Sequence, residues 1–306
     1  MRGDRALASL AVIVALLGAP QSAAAFCRRT TAPETTPDRC VDEGLPLFHR
    51  AQCLTYQIVD RSRAGITAPQ LSDAMARAFA AWTAPNATCT PGIALVELAR
   101  ATLAPGAAMV EYRSDGAQNR NLVGFVEGAW PHGGMGDTLA LATLSFLTDS
   151  GEVLDADLEI NGDVPWSVDP SPATDAYDLV TALAHEAGHV LGLAHSPVAT
   201  AVMFPSYTPG TTNRVLDPDD AAGICAIYPD RLTRATAGGA VAATECRLTP
   251  GDPNTSACDQ DPTFTHGCSI SAAPAARATA SACATLVTFA AAAAFARRSR
   301  RRRAKK

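Results

Sequence analysis

The chain has 306 residues, a formal net charge of -5, 47% hydrophobic residues and nine cysteines. The basic residues are concentrated in the closing "RRSRRRRAKK", so the body of the chain is acidic, which argues against a nucleic acid or other polyanion as partner. The length allows two domains, but both ends carry targeting features that must be set aside first.

Residues 1–25 run from Arg2 and Arg5 through the apolar stretch Ala6 to Leu17 to the small residues Ala23, Ala24 and Ala25. This order of basic, apolar and small is that of a secretory signal peptide cut after Ala25. Export favours disulfides. Setting aside Cys268 and Cys283 near the C-terminus leaves Cys27, Cys40, Cys53, Cys89, Cys225, Cys246 and Cys258, an odd set whose connectivity spacing does not determine. Cys40 is expected in a disulfide, with Cys53 as a candidate partner.

Residues 26–230 are expected to form one domain. Strands are predicted over 54–60, 93–98, 121–127, 138–147 and 153–160, each rich in apolar or β-branched residues and bounded by Gly, Pro, Asn or Asp. A first helix begins at "TAPQLSDAMARAFAAW", with Thr67 as N-cap, Gln70 three places on, and Leu71, Met75, Phe79 and Trp82 at helical spacing. A second should start near Thr174 or Asp175 and run through Leu179, Leu183 and Leu191 to Gly192. A third, in "LDPDDAAGICAIYP", has Asp217 as N-cap, Pro218 at the first helical position and Pro229 as a stop. Five strands layered with helices make an α+β architecture. Residues 231–266 have linker composition, and 267–306 hold the apolar "ACATLVTFAAAAAFA" and the basic block.

The chemistry is concentrated in "HEAGHVLGLAHS" at 185–196. On a helix, His185 and His189 lie one above the other, so both imidazoles face a common point. Gly192 can take a positive φ, turning the chain so that His195 returns to that point. Three neutral imidazoles leave a tetrahedral zinc one open position for a water. Glu186 points beside the metal, where a general base belongs.

HEAGHVLGLAH, followed by Ser196, resembles the extended zinc motif of the metzincin metalloendopeptidases, in their matrixin branch. "AVMFPSY" at 201–207 is similar to the family's methionine turn, with Met203 beneath the zinc. The resemblance implies a zincin-like catalytic domain with a twisted five-stranded mixed sheet and three helices, and an endopeptidase acting on proteins or peptides as a monomer. It assigns Pro205, Ser206 and Tyr207 to the outer wall of the S1' pocket, with Thr181 and Ala182 from the helix. It makes "GDTLALATLSF", including Leu139 and Ala140, the edge strand that pairs an extended substrate. Tyr207 stands four places after Met203 and is assigned to the pocket, not the metal.

Asp155, Asp157 and Glu159 alternate along one strand and share a face. That face is either solvated or a calcium site through its carboxylates. His49, His132 and His266 are scattered, so no structural zinc is expected, and His132 in "WPHGG" reads as a surface residue. The stretch after Ala25 is too short for a prodomain of the vertebrate matrixin type. "HGCSI", the apolar run and the arginine block resemble the tripartite sorting signals of myxobacterial surface proteins, which implies cleavage near Cys268 and an anchor there; a plain membrane tail is the alternative. Against the peptidase stand a surface adhesion module without activity and a zinc hydrolase acting on something other than protein.

Overall fold

The computed structural model describes residues 26–246, with short breaks at 34–38, 114–118, 127, 129 and 133–137, and the backbone of 287–292. The expected signal segment 1–25, Cys258, Cys268 and the arginine block lie outside the described residues.

The five expected strands form as β1 (Cys53–Ile58), β2 (Ala94–Glu97), β3 (Leu122–Phe125), β4 (Thr138–Phe146) and β5 (Val153–Ile160). They build one mixed sheet in the order β4-β5-β3-β1-β2, in which only β4 runs antiparallel to its neighbour. Alternation divides its faces. Ala156, Leu158 and Ile160 of β5 join the main core, whereas Asp155, Asp157 and Glu159 point to the other face.

Helix α1 (Ala68–Thr83) starts at the predicted capping box, where Thr67 and Gln70 satisfy each other's backbone. Its Leu71, Met75, Phe79 and Trp82 are buried against the sheet and α2, and the Trp82 indole N–H donates to the Ala184 carbonyl at 2.8 Å. Helix α2 (Leu179–Val190) begins later than expected, because Tyr177–Asp178 (β7) pairs with Trp166–Ser167 (β6) and Asp178, not Thr174 or Asp175, caps the helix. Helix α3 (Pro218–Ile227) is capped by Asp217 with Asp220 completing a capping box.

Residues 231–246, expected to be linker, are folded. Thr233–Thr236 (β8) and Gly239–Ala242 (β9) form a hairpin, and Cys246 is bonded to Cys53 at the start of β1. Arg234 fixes this hairpin. Its fully buried guanidinium donates to the carbonyls of His49, Ala51, Gly92, Asp230 and Thr233 and stacks over the Tyr228 ring. Five carbonyl acceptors explain how a charge is tolerated there.

The other two disulfides among the described residues join Cys27 to Cys40 and Cys89 to Cys225, so Cys40 pairs with Cys27 and not with Cys53. Within the C-terminal apolar stretch, residues Val287–Ala292 (β10) pair antiparallel with β4 as a sixth strand. An open sheet edge offers unpaired backbone groups that such a segment satisfies. No helix among the described residues is long and apolar enough to cross a membrane.

Candidate active site

Helix α2 presents His185 and His189 with ring centroids 4.6 Å apart. Gly192, at φ +97°, ends the helix and turns the chain, and His195 returns with its ring 5.2 Å from His185 and 4.8 Å from His189. One ligand atom from each histidine lies within 4.8 Å of the others, and all three residues are buried.

The ring orientations are fixed from behind. His185 Nδ1 bonds the Val202 carbonyl at 2.7 Å and His189 Nδ1 bonds the Leu193 carbonyl at 2.9 Å. A ring that donates from Nδ1 keeps its Nε2 lone pair for a metal. The Nε2 atoms of both are buried with no hydrogen-bond partner, which is what a metal-binding donor set requires. Burial pushes His185 and His189 well below the ordinary histidine range, holding them neutral. A donor set of three buried imidazoles fits zinc. It is the one such cluster among the described residues.

Glu186 is buried beside this cluster, and its Oε2 accepts the Ala142 backbone N–H of β4 at 3.0 Å. Burial pushes its carboxyl up to about 8, opposed by the charge of Arg29 and by the Ala142 N–H. Arg29, on the N-terminal segment, is a buried neighbour that the sequence did not announce.

Below the histidines, Met203 is buried in a turn held by α3. The Asp220 carboxylate accepts the N–H groups of Val202 and Met203 at 2.7 and 3.1 Å. Ser196 N–H donates to the Met203 carbonyl at 2.9 Å, and Ser196 Oγ donates to Asp219 at 2.6 Å. The serine after the third histidine thus ties that ligand's loop to the methionine turn.

The Tyr207 hydroxyl donates to the Val202 carbonyl at 3.1 Å, and its ring stands edge-on to His185 at 5.3 Å. Pro205 and Ser206 precede it, half-buried. Thr181 and Ala182 are buried on α2; Thr181 Oγ1 donates to Asp178 at 2.6 Å and accepts Asn213 N–H at 2.8 Å. Arg214 pairs with the same Asp178, so the segment after Tyr207 is clamped to the start of α2. Leu139 and Ala140 are buried on β4.

The acidic face of β5 is not a solvated one. Asp157 accepts Leu122 N–H at 2.8 Å and Glu111 N–H at 3.2 Å, while Glu159 is paired with His132 at 2.8 Å. His132, expected at the surface, is therefore half-buried, packed edge-on against Trp130. Its bond to Glu159 takes that acid out of a shared set with Asp155 and Asp157.

A helix carrying two histidines and a glutamate, a glycine turn returning a third histidine, and a buried methionine turn beneath them define a zinc site of the metzincin class. The family model for matrixins, peptidase family M10, matches residues 48–229, more than half of the chain. The chain belongs to the matrixin family. It is 38% identical over 93 residues to karilysin of Tannerella forsythia, covering 30% of this chain and 18% of that protein. It is 34% identical over 102 residues to metalloendoproteinase 5-MMP of Arabidopsis thaliana, covering 31% and 28%. Human matrix metalloproteinase-16 is 38% identical over 112 residues, covering 36% and 18%. The matched stretches span less than a third of each of these relatives.

Proposed function

We propose that this chain is an exported zinc endopeptidase that hydrolyses peptide bonds in proteins. The observation that carries the reading is the convergence of His185, His189 and His195, two of them with unpartnered buried Nε2 atoms, beside the buried carboxyl of Glu186. His185, His189 and His195 would hold the zinc. When bound, zinc acts as a Lewis acid on the scissile carbonyl and lowers the pKa of water toward about 7.

In its ionised form Glu186 takes the proton of the attacking water and delivers it to the leaving amine. Its tether to Ala142 N–H fixes the carboxylate between α2 and β4, so proton acceptor and substrate strand keep one geometry. An extended peptide would pair with β4 in the place of β10, past Leu139 and Ala140. Tyr207, Pro205 and Ser206, with Thr181 and Ala182, bound the pocket for the side chain after the scissile bond. The Arg214 to Asp178 pair keeps that wall closed.

Export by residues 1–25 and surface attachment near Cys268 belong to the same proposal, resting on the sequence pattern. Calcium, if bound, would use Asp155, which has one buried oxygen without a hydrogen bond, and Asp157 beside it. Two carboxylates fall short of the six to eight oxygens calcium takes, so backbone or water must supply the rest.

The test is metal content and cleavage together. The purified chain should hold about one zinc and cleave denatured protein, with loss of cleavage on chelation. The Glu186→Ala variant should keep its zinc and lose about 100-fold or more in rate. Cleavage undiminished in that variant sinks the mechanism; a zinc-loaded chain that cleaves no peptide in a broad library favours a recognition module.

A further inference from the structure

We propose that the extended N-terminal segment 27–31, closed by the Cys27–Cys40 disulfide, is a positioning element for the third metal ligand, so that His195 is set in place only when that disulfide has formed. The inference rests on the zinc reading of the three histidines, but not on the substrate.

The segment lies between two others and bonds to both. On one side, Arg29 N–H donates to the Gly192 carbonyl at 2.9 Å and Ala194 N–H donates to the Cys27 carbonyl at 2.9 Å, around an antiparallel bridge of Arg28 with Leu193. On the other side, Leu47 N–H donates to the Arg29 carbonyl at 2.8 Å and Thr31 N–H to the Leu45 carbonyl at 2.9 Å. Residues 192–194 are the turn that brings His195 back. The Leu193 carbonyl also receives His189 Nδ1.

Two of the three ligands therefore depend on a turn whose outer backbone edge is paired by residues 27–29. Only glycine fits at 192: a Cβ there would stand 2.8 Å from the Leu47 carbonyl oxygen. The Arg28 guanidinium adds bonds to Leu47 and Ala235 carbonyls at 3.1 and 3.0 Å, linking the segment to the β8–β9 hairpin. His185, by contrast, is held by Val202 on the methionine turn and makes no contact with this segment through its Nδ1.

A segment held by two isolated bridges is marginal by itself. The Cys27–Cys40 bond closes a 13-residue separation and confines it beside the Gly192 turn. Cys27 is buried and Cys40 exposed, so the bond is accessible from one side. Its closure is a two-electron oxidation: the two thiols lose two protons and two electrons to a disulfide oxidant, such as oxidised glutathione, which leaves as two thiols. A chain with reduced cysteines would hold His185 in place and leave the third ligand unset, giving weak metal binding until oxidation.

The test compares the full chain with its Cys27→Ser/Cys40→Ser double variant, after confirming by mass that Cys53–Cys246 and Cys89–Cys225 are closed. Zinc affinity, measured by chelator competition, should fall about tenfold or more, the range for groups that orient metal ligands. In the metal-free protein, amide exchange at Arg29 and Ala194 should accelerate while that of Ala187 within α2 stays unchanged. Arg28→Ala, which removes the guanidinium bonds of this segment to the Leu47 and Ala235 carbonyls and leaves the disulfide, should shift both readouts the same way and serves if the double variant does not fold. Unchanged zinc affinity and unchanged Ala194 exchange overturn the proposal, as does uniform acceleration through α2, which marks general destabilisation. If the parent chain binds no zinc, the zinc reading fails by itself and exchange at Ala194 still decides the role of the segment.

Discussion

The Asp220 carboxylate on α3 accepts the Met203 backbone N–H at 3.1 Å, and its other oxygen accepts the N–H groups of Val202 and Asp217 at 2.7 and 2.9 Å. One side chain thus caps its own helix and holds the methionine turn. The Val202 carbonyl held in this way is the acceptor for His185 Nδ1, so α3 reaches the metal centre through backbone atoms.

Asp220→Ala should therefore cost both stability and metal. Two buried N–H groups lose their acceptor, at about 1–3 kcal/mol each. Urea denaturation should show a loss of about 3 kcal/mol, and zinc affinity should fall as the Val202 carbonyl loses its orientation. Asp220→Asn keeps one acceptor oxygen and should lie between the two. A variant that loses stability but binds zinc with undiminished affinity would show that the turn does not orient His185.

Gly188, between the two helical ligands, faces the methionine turn so closely that an added Cβ would sit 2.2 Å from Met203 Sδ and 2.7 Å from the Trp82 ring. Gly188→Ala should cost about 1–3 kcal/mol by overpacking. Pairing it with Met203→Ala should recover part of that loss, because the smaller side chain vacates the contested space. Additive losses in the double variant, measured by thermal unfolding, would rule out this contact as the cause.

The convergence of His185, His189 and His195 was legible because their spacing is local: i and i+4 on one helix, then a glycine turn. What orients them was not. The Val202 and Leu193 carbonyls are atoms that every residue has, and Asp220 reaches the N–H groups of Val202 and Met203 from 18 and 17 positions away. The start of α2 shows the same limit. Thr174, Asp175 and Asp178 are all acceptable caps, and the choice is made by the pairing of Tyr177 with Trp166, which no local pattern reveals. The hairpin after 230 looked like linker because its residues are small and polar; Arg234 and Cys246 hold it through partners near the start of the sheet.

That hairpin should be indispensable. Arg234→Ala leaves several buried carbonyls unsatisfied and removes the guanidinium stacked on Tyr228. A loss of about 3 kcal/mol or more is expected in urea denaturation. Ending the chain at Asp230 removes Arg234 and the Cys53–Cys246 bond together and should prevent cooperative unfolding. A chain ending there that unfolds at the same midpoint as the longer one would return 231–246 to the status of a linker.

Asp155 sets the expected pH dependence. Burial pushes its carboxyl up to about 7 from the ordinary 3.8, and the neighbouring Asp157 is pushed up as well, by burial and by the Asp155 charge. The folded state then holds a proton that the unfolded chain has released. Between about pH 4 and 7 the native state binds more protons, so this contribution is fully present below about 4 and is lost as pH rises through 7. Asp155→Asn removes the ionisation while keeping the shape. The variant should match the parent near pH 4 and exceed it at pH 8, by an amount of order 1 kcal/mol per pKa unit. Thermal unfolding from pH 4 to 8 in metal-free buffer measures the difference. Parallel curves for the two chains would show that Asp155 remains ionised in the fold; a parent raised to the variant's stability at pH 8 by added calcium would show that a cation relieves the same repulsion.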